Sequence, residues 1–461
     1  MLGVQLAALV GTPAGVEEAL GLADGLDDAL VHGLGRLGEQ RAAALAALAG
    51  ALEGSPLGRP VSEATGKLAA GSVADEQIAA LAGARAAVFG AVHDALLARL
   101  DAALGRERAA WEEPAGTGGG DVPANLLSGC RSWLNELAIA GWRGVDHDLV
   151  SASDQTLEAV LAEPRLRRLG VLLDGLAAEL RASCPVATMD RLPVRRWADL
   201  WARGVLLAQP GLPGGGAPET VSGRLLPLGV DVHEHGTAVQ IEVHGVLESS
   251  GGGTRLVRTG VAAPKVDTIV GPAVWQLLGG HPVLMAALAE RRSVTVQDLP
   301  LSAGHLRWDD ARATLAEAAD PFATARLMLA GSVAPAVPPL ERHPVRISEP
   351  VLVEGHTVNG TTWSLDGQEI EVDVERLPSC GPLTPALVAA STSCIGLLRW
   401  DGGRWRLQPL AVQATVKKKP VEAHTGDWAL GPTDPKVVKA VAKSGDVVTV
   451  LRERAGRLLR K

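Results

Sequence analysis

The chain has 461 residues, with 44 Lys and Arg against 52 Asp and Glu, and a formal net charge of −8 at pH 7. Because 47% of the residues are apolar and only 21% are charged, the composition excludes an intrinsically disordered chain. The acidic balance gives no overall electrostatic footprint for nucleic acid or for an anionic membrane. We therefore expect no membrane partner and disfavour nucleic acid.

The first 209 residues are predicted to be helical. Apolar residues from Ile78 to Leu100 recur at close to 3.6-residue spacing, which predicts a long helix over about 72–112 with one buried face. Further helices are predicted over 12–25, 27–52, 123–142, 153–162, 164–182 and 193–207. A Pro/Gly-rich linker at 114–121 separates an Ala/Leu-rich helical domain, residues 1–113, from a second helical segment, residues 122–209. We expect these helices to form a bundle.

The chain changes character at the Pro/Gly-rich segment 210–218, because consecutive glycines and prolines sustain neither a helix nor a strand. After it, three runs of alternating polarity at 224–233, 237–247 and 254–261 predict an antiparallel meander. Asp366-Gly367 predicts a type I′ hairpin, and Gly402-Gly403 predicts a turn that places Trp400 opposite Trp405. Helices are predicted between these sheets, over 271–278, 282–291, 308–319 and 321–329.

These patterns predict a multidomain α+β protein. The N-terminal half is all-α, and the C-terminal half is mixed, with antiparallel meanders, hairpins and interspersed helices. Residues 220–420 form the predicted α+β domain. Residues 421–461 form a basic helical tail. Basic residues already outnumber acidic ones from Lys417 onward, just before this tail.

The densest polar cluster surrounds the predicted turn at His235-Gly236. Asp231, His233, Glu242 and His244 are predicted to lie on one face of the hairpin, where carboxylates and imidazoles can perform acid–base chemistry. The imidazoles of His233, His235 and His244 are the candidate metal ligands. The alternative is an ordinary solvated sheet face, because the opposite face carries only apolar residues.

Other motifs fail on context. Gly33, Gly35 and Gly38 have the spacing of a dinucleotide fingerprint, but no strand is predicted before them. Gly66-Lys67 lacks both the first glycine and the final Ser or Thr of a phosphate-binding loop. Four cysteines without close spacing are expected to be reduced thiols of a cytoplasmic protein. We expect no cofactor.

Residues 225–412 resemble a group of uncharacterised actinobacterial proteins. The segments that carry the resemblance are Arg255–Thr259, Val274–Leu278, Leu306–Arg312, Glu341–Pro344 and Gly396–Asp401. This group is similar to the companions of SWIM zinc-finger proteins, MoxR-type AAA+ ATPases and von Willebrand factor A proteins. The resemblance implies protein partners of these kinds, and it implies no functional residue.

Two functions remain open from the sequence. The first is a non-catalytic cytoplasmic adaptor or scaffold that acts through protein–protein contacts beside an AAA+ ATPase or von Willebrand factor A protein. The second is an enzyme with a metal-assisted or acid–base site on the sheet that carries His233, His235 and His244.

Overall fold

The computed structural model describes residues 1–113, 123–210, 218–444 and 448–449. The predicted linker at 114–121, most of the 210–218 segment and most of the basic tail after Ser444 lie outside these residues. The helices of the N-terminal half are α1 (Gly3–Leu9), α2 (Val16–His32), α3 (Glu39–Ala51), α4 (Gly58–Ala69), α5 (Asp75–Leu104), α6 (Ala124–Ala140), α7 (His147–Ser151), α8 (Asp154–Ala162), α9 (Arg167–Ser183) and α10 (Val194–Leu207).

The helical half has one shared apolar core, which extends from Ala23 in α2 to Ala208 just after α10. Both predicted helical segments contribute to it. Arg85 of α5 lies inside this core, only 1% exposed, and its guanidinium donates to the Asp27 carboxylate at 2.7 and 3.2 Å. A charge buried this deeply requires such a partner, so this ion pair fixes how α2 packs on α5.

Helix α5 contributes to two cores. Its first half packs in the helical core, whereas Val92, Leu96 and Leu100 pack with α1 against apolar residues of the C-terminal half. The helix is long and apolar enough to cross a membrane by length and composition alone. However, 56% of its most apolar window is buried inside the protein.

The C-terminal half alternates strands with short helices. Its elements are β1 (Glu219–Glu234), β2 (Ala238–Ser249), β3 (Thr254–Pro264), α11 (Val274–Leu277), α12 (Pro282–Ala289), β4 (Arg292–Ser302), β5 (His305–Leu306), β6 (Ala313–Ala318), α13 (Pro321–Met328), β7 (Ser348–Glu354), β8 (Thr357–Asn359), β9 (Thr362–Leu365), β10 (Gln368–Val372), α14 (Pro385–Ala389), β11 (Ser391–Asp401), β12 (Arg404–Val416), β13 (Lys419–His424) and α15 (Pro435–Ser444).

Strands β1–β6 form a closed sheet, which we call the first barrel. The pairing runs β1-β2-β3-β5-β4, and β4 pairs back onto β1, so that the sheet closes. The β3–β5 pairing is parallel and the others are antiparallel. Closure is possible because β1, 16 residues long, uses its first half for β4 and most of its length for β2. Strand β6 extends the sheet from β4.

Strands β7–β13 repeat this arrangement in what we call the second barrel. Strands β7 and β8 act as one first strand, interrupted at Gly355 and His356. The pairing then runs from β8 through β9 and β10, across a parallel contact to β12, and back through β11 to β7. In both barrels helices follow the third strand and lead to the fourth: α11 and α12 in the first, α14 in the second.

This strand order, with a helical segment between the third and fourth strands, is that of the five-stranded Greek-key barrel known as the OB fold. The C-terminal half therefore contains two such barrels in tandem. They are joined by α13 and by a segment that we call the connector, residues 329–347. The predicted fold class is confirmed: a helical N-terminal half precedes a mixed half with antiparallel strands and interspersed helices.

Both hairpin predictions are confirmed. Leu365 pairs with Gln368 across Asp366-Gly367, where φ is +49° and +82°, as a type I′ turn requires. Trp400 faces Trp405 across the β11–β12 turn, and their rings meet edge to face at 5.4 Å.

Several helix predictions are wrong in extent or type. The break predicted between the helices over 12–25 and 27–52 lies instead at Gly33, where φ is +90°, because α2 continues through Gly25 to His32. The helix predicted to reach 112 ends at Leu104, because Gly105 takes the left-handed conformation that closes helices. The predicted helix over 308–319 is instead a short 3-10 turn and strand β6: Leu315 pairs with Val294, so sheet pairing overrides the helical preference of an Ala-rich segment.

Candidate functional site

The predicted polar face exists on the first barrel. Asp231 lies opposite Glu242 and His233 lies opposite Gln240 in the antiparallel ladder, which places their side chains on one face, together with His244 two residues after Glu242. The other face carries apolar residues that enter a core cluster: Val230, Val239, Ile241 and Val243. The same-face prediction is therefore confirmed by the register.

Asp231 is enclosed by the second barrel. Its side chain is 2% exposed; one carboxylate oxygen accepts from Gln408 at 2.7 Å, and the other accepts from Arg399 and lies 2.9 Å from His233 Nε2. Burial alone would raise the pKa of Asp231, but the His233 hydrogen bond and the Arg399 charge hold it well below its usual range. This carboxylate is an anion that joins the two barrels, and its burial leaves it almost no surface that a substrate could contact.

His244 begins a polar row across three strands. It lies opposite Arg258 on β3, and Arg258 lies beside His305 on the parallel strand β5. The His244 side chain is 4% exposed, and its Nε2 has no hydrogen-bond partner among the described residues; the carboxylate of Glu242 is 3.7 Å away. Burial lowers the pKa of His244 to about 4, and burial also lowers the pKa of His305, so both imidazoles are neutral at pH 7.

The three candidate metal ligands differ in their surroundings. His244 is buried, His233 is half exposed beside Asp231, and His235 is exposed in the turn. Within the part of the chain that the structure describes, no group of three or more His, Cys, Asp or Glu side chains could hold a metal ion. The imidazoles share a hairpin but do not converge.

A cleft lies where the helical half, the first barrel and the connector meet the start of the second barrel. It adjoins the polar row through His244 and Arg258, and the β4–β5 turn at Ala303-Gly304 contributes to its wall. Its other lining residues with ionisable side chains are Arg108, Arg346, Glu341, Glu349 and His93.

The connector binds the helical half through side chains. His343 stacks on Phe89 of α5, with ring centroids 4.4 Å apart. Arg342 donates to Asp94 of the same helix at 2.9 Å. Both residues belong to the Glu341–Pro344 segment, which the resemblance singles out without a role. Its position shows that the segment fixes the connector against α5.

The remaining motifs have structural explanations. Gly33 ends a helix and does not follow a strand, and Gly66-Lys67 lies within α4. All four cysteines are free, as expected for reduced thiols, and burial raises the pKa of Cys130 to about 11 and of Cys380 to about 12. Neither thiol is activated as a nucleophile.

Sequence reasoning missed Arg258, Arg346, Arg399 and Gln408 as neighbours of the polar face. Arg258 and Arg399 fall inside segments that carry the resemblance, but nothing local indicates that they approach the hairpin. Arg399 is 168 residues from Asp231, and only the packing of one barrel on the other brings them together.

No family model matches the chain, and no curated protein or solved structure is significantly similar to it. The OB-type assignment of the two barrels therefore rests on their strand order. Strand order alone does not determine function, because OB-type barrels serve many ligands.

Proposed function

We propose that this protein is a non-catalytic cytoplasmic adaptor or scaffold that acts through protein–protein contacts. The observation that carries the proposal is the burial of Asp231 between the barrels, where its carboxylate accepts hydrogen bonds from Arg399 and Gln408. The best acid–base candidate in the chain thus serves to hold two barrels in a fixed orientation. Because replacing a buried ion pair with apolar residues is often neutral for stability, we infer that the role of this pair is to specify how the barrels pack.

The outer face of the second barrel also favours a protein partner over nucleic acid. Polar side chains line strands β8, β9 and β10, as in the row formed by Thr357, Ser364 and Glu369. Among the described residues of this face there is no exposed aromatic side chain, whereas single-stranded nucleic acids are usually bound by stacking on aromatic rings. Trp363, on the same strand as Ser364, points into the barrel core.

The resemblance extends the proposal to an accessory role beside a MoxR-type AAA+ ATPase or a von Willebrand factor A protein. The test is a binding measurement between the purified full-length chain and purified proteins of these two kinds. We expect saturable binding with a Kd of about 1 µM or tighter to at least one of them. Hydrogen exchange on the complex should show protection of a contiguous set of exposed residues. Absence of saturable binding to both would contradict the accessory role.

The enzyme alternative makes an opposite prediction for metal binding. A metal site on the polar hairpin should produce a saturable rise in Tm with zinc or manganese, and His233→Ala should abolish it. His281→Ala is the matched control, because His281 also pairs with a carboxylate, that of Asp310 at 3.2 Å, outside the hairpin. The adaptor proposal expects no saturable shift in the wild type. A shift lost only in His233→Ala would replace it with the metal-site function.

A further inference from the structure

We propose that the cleft between the helical half and the two barrels binds a small molecule through a phosphoryl group, held by Arg258, Arg346 and His244. The inference concerns a site separate from the adaptor surface and does not depend on it. It rests on an excess of guanidinium groups, on an arginine without a hydrogen-bonded partner and on a buried imidazole with an unused nitrogen.

The first observation is the sharing of one carboxylate among several cations. Glu341 pairs with Arg346 and Arg168, and it also lies 3.8 Å from Arg203. Arg203 also lies 3.7 Å from Asp199, so two carboxylates serve three guanidinium groups, and the guanidinium of Arg346 retains part of its field in the cleft. Loss of solvent lowers the pKa of Arg346; the carboxylates of Glu341 and Asp199 oppose this shift, and the charges of Arg203 and Arg258 add to it. An added anion would relieve this repulsion.

The second observation is that the guanidinium group of Arg258 has unused hydrogen-bond donors. Its backbone nitrogen donates to Gly304, but its guanidinium makes no hydrogen bond to any residue in the described parts of the chain. Its nearest carboxylate oxygen, on Glu242, is 3.7 Å from Nε, beyond hydrogen-bond distance. The side chain is 29% exposed and lines the cleft, so its donors are available to a ligand.

The third observation is independent of the arginines. His244 Nε2 is buried without a hydrogen-bond partner in the described parts of the chain, and His244 lines the same cleft. A buried polar atom without a hydrogen bond is costly, and native structures keep few of them. Ser348 Oγ, also in the cleft lining, is a second unpartnered polar atom. The neutral imidazole can donate from Nε2, and the hydroxyl can donate as well.

The donor set favours a phosphoryl group. Arg258 lies on β3, Arg346 in the connector and His244 on β2, so three separate segments supply donors to the cleft. A tetrahedral phosphoryl group presents three oxygens to such a set, whereas a planar carboxylate presents two. Guanidinium groups are also the preferred partners of phosphate oxygens in proteins.

The experiment is calorimetry of the full chain with pyrophosphate, inorganic phosphate and malonate at constant ionic strength. We expect saturable binding of at least one phosphate species, with malonate at least about tenfold weaker. Malonate binding as tight as both phosphate species would overturn the phosphoryl assignment. No saturable binding of any of the three would overturn the site.

Two variants locate the site. Arg258→Gln and Arg346→Gln should each weaken phosphate binding about tenfold or more, since each removes a charged donor. Arg59→Gln is the matched control, because Arg59 is 88% exposed, lies 4.0 Å from the Glu63 carboxylate and does not line the cleft. Equal affinity in Arg258→Gln and Arg59→Gln would overturn the assignment.

If Arg258→Gln does not fold, Arg258→Lys keeps the positive charge and tests the guanidinium alone. It should bind phosphate more weakly than the wild type, because the ammonium lacks the forked donor geometry. The imidazole gives a second readout: the nitrogen resonance of His244 Nε2 should shift on saturation with phosphate. A resonance that does not move would remove His244 from the site.

Discussion

Gly33 and Gly141 pack backbone against backbone where α2 and α6 end. A Cβ on Gly141 would lie 2.6 Å from the carbonyl carbon of His32 and closer still to the Gly33 nitrogen, and a Cβ on Gly33 would lie 2.5 Å from the Ile139 carbonyl oxygen. Both glycines have positive φ, +90° and +71°. The first glycine of the apparent dinucleotide fingerprint is therefore required for helix packing.

Gly141→Ala should lower the free energy of unfolding by at least about 2 kcal/mol, because it adds a steric clash to backbone strain. Urea denaturation measures the loss. Gly71→Ala is the matched control, since Gly71 also has positive φ, +83°, but nothing lies within 4 Å of its added Cβ. It should lose only about 1 kcal/mol from strain. Equal losses of stability in the two variants would show that the close backbone approach at Gly141 does not exclude a Cβ.

Asp231→Asn should destabilise the junction of the barrels by about 3 kcal/mol, because it leaves the buried guanidinium of Arg399 without its counter-charge. Chemical denaturation at pH 7 measures the change. Glu219→Gln supplies the comparison: Glu219 pairs with Arg255 at 2.8 Å, but its side chain is 56% exposed. That substitution should cost less than about 1 kcal/mol. If the Asp231 variant costs no more than this, the ion pair does not hold the barrels together.

Protonation of Glu422 should make the protein less stable in acid. A hydrogen bond with His424 holds the pKa of Glu422 at about 2, below its ordinary value of 4.5, with further help from Gln413 and Arg291. The stabilisation is complete above pH 4.5 and is lost as the pH falls towards 2. Glu422→Gln should therefore cost about 2 kcal/mol at pH 7. Urea titrations at several pH values should show this difference shrinking in acid; a constant difference would contradict it.

His356 should add a second pH dependence to the free energy of unfolding, at a higher pH than that of Glu422. Its ring stacks on Trp363 at 3.8 Å, its Nε2 lies 3.1 Å from Ser391 Oγ, and burial lowers its pKa from 6.5 to about 4. Between these values only the unfolded chain binds the proton, so stability falls as the pH falls. The slope contributed is about 1.4 kcal/mol per pH unit.

The measurement is the free energy of unfolding between about pH 6.5 and 4, compared between the wild type and His356→Gln. The variant should lack the contribution of one histidine to the slope, whatever its absolute stability. His235→Gln, at an exposed turn position, is the control and should retain the wild-type slope. An unchanged slope in His356→Gln would contradict the assignment.

Local chemistry made part of this fold predictable. The Asp366-Gly367 turn and the shared face of Asp231 and Glu242 follow from turn preferences and strand alternation, and the structure confirms both. Closure of the barrels does not follow from local patterns, because the β1–β4 and parallel β3–β5 contacts join segments that are far apart in sequence. The same limit applies to the site: the polar hairpin could be predicted, but not its enclosure by Arg399.

Because α5 contributes to two cores, the helical half and the second barrel cannot be treated as separable units. At a rise of about 1.5 Å per residue the helix is about 45 Å long, and Leu81 supports the helical core while Leu96 supports the second barrel. Neither part can be excised without removing apolar side chains from the other. Recombination between genes should therefore preserve the helical half and the second barrel as a pair, although α5 ends at Leu104 and the second barrel begins only at Ser348.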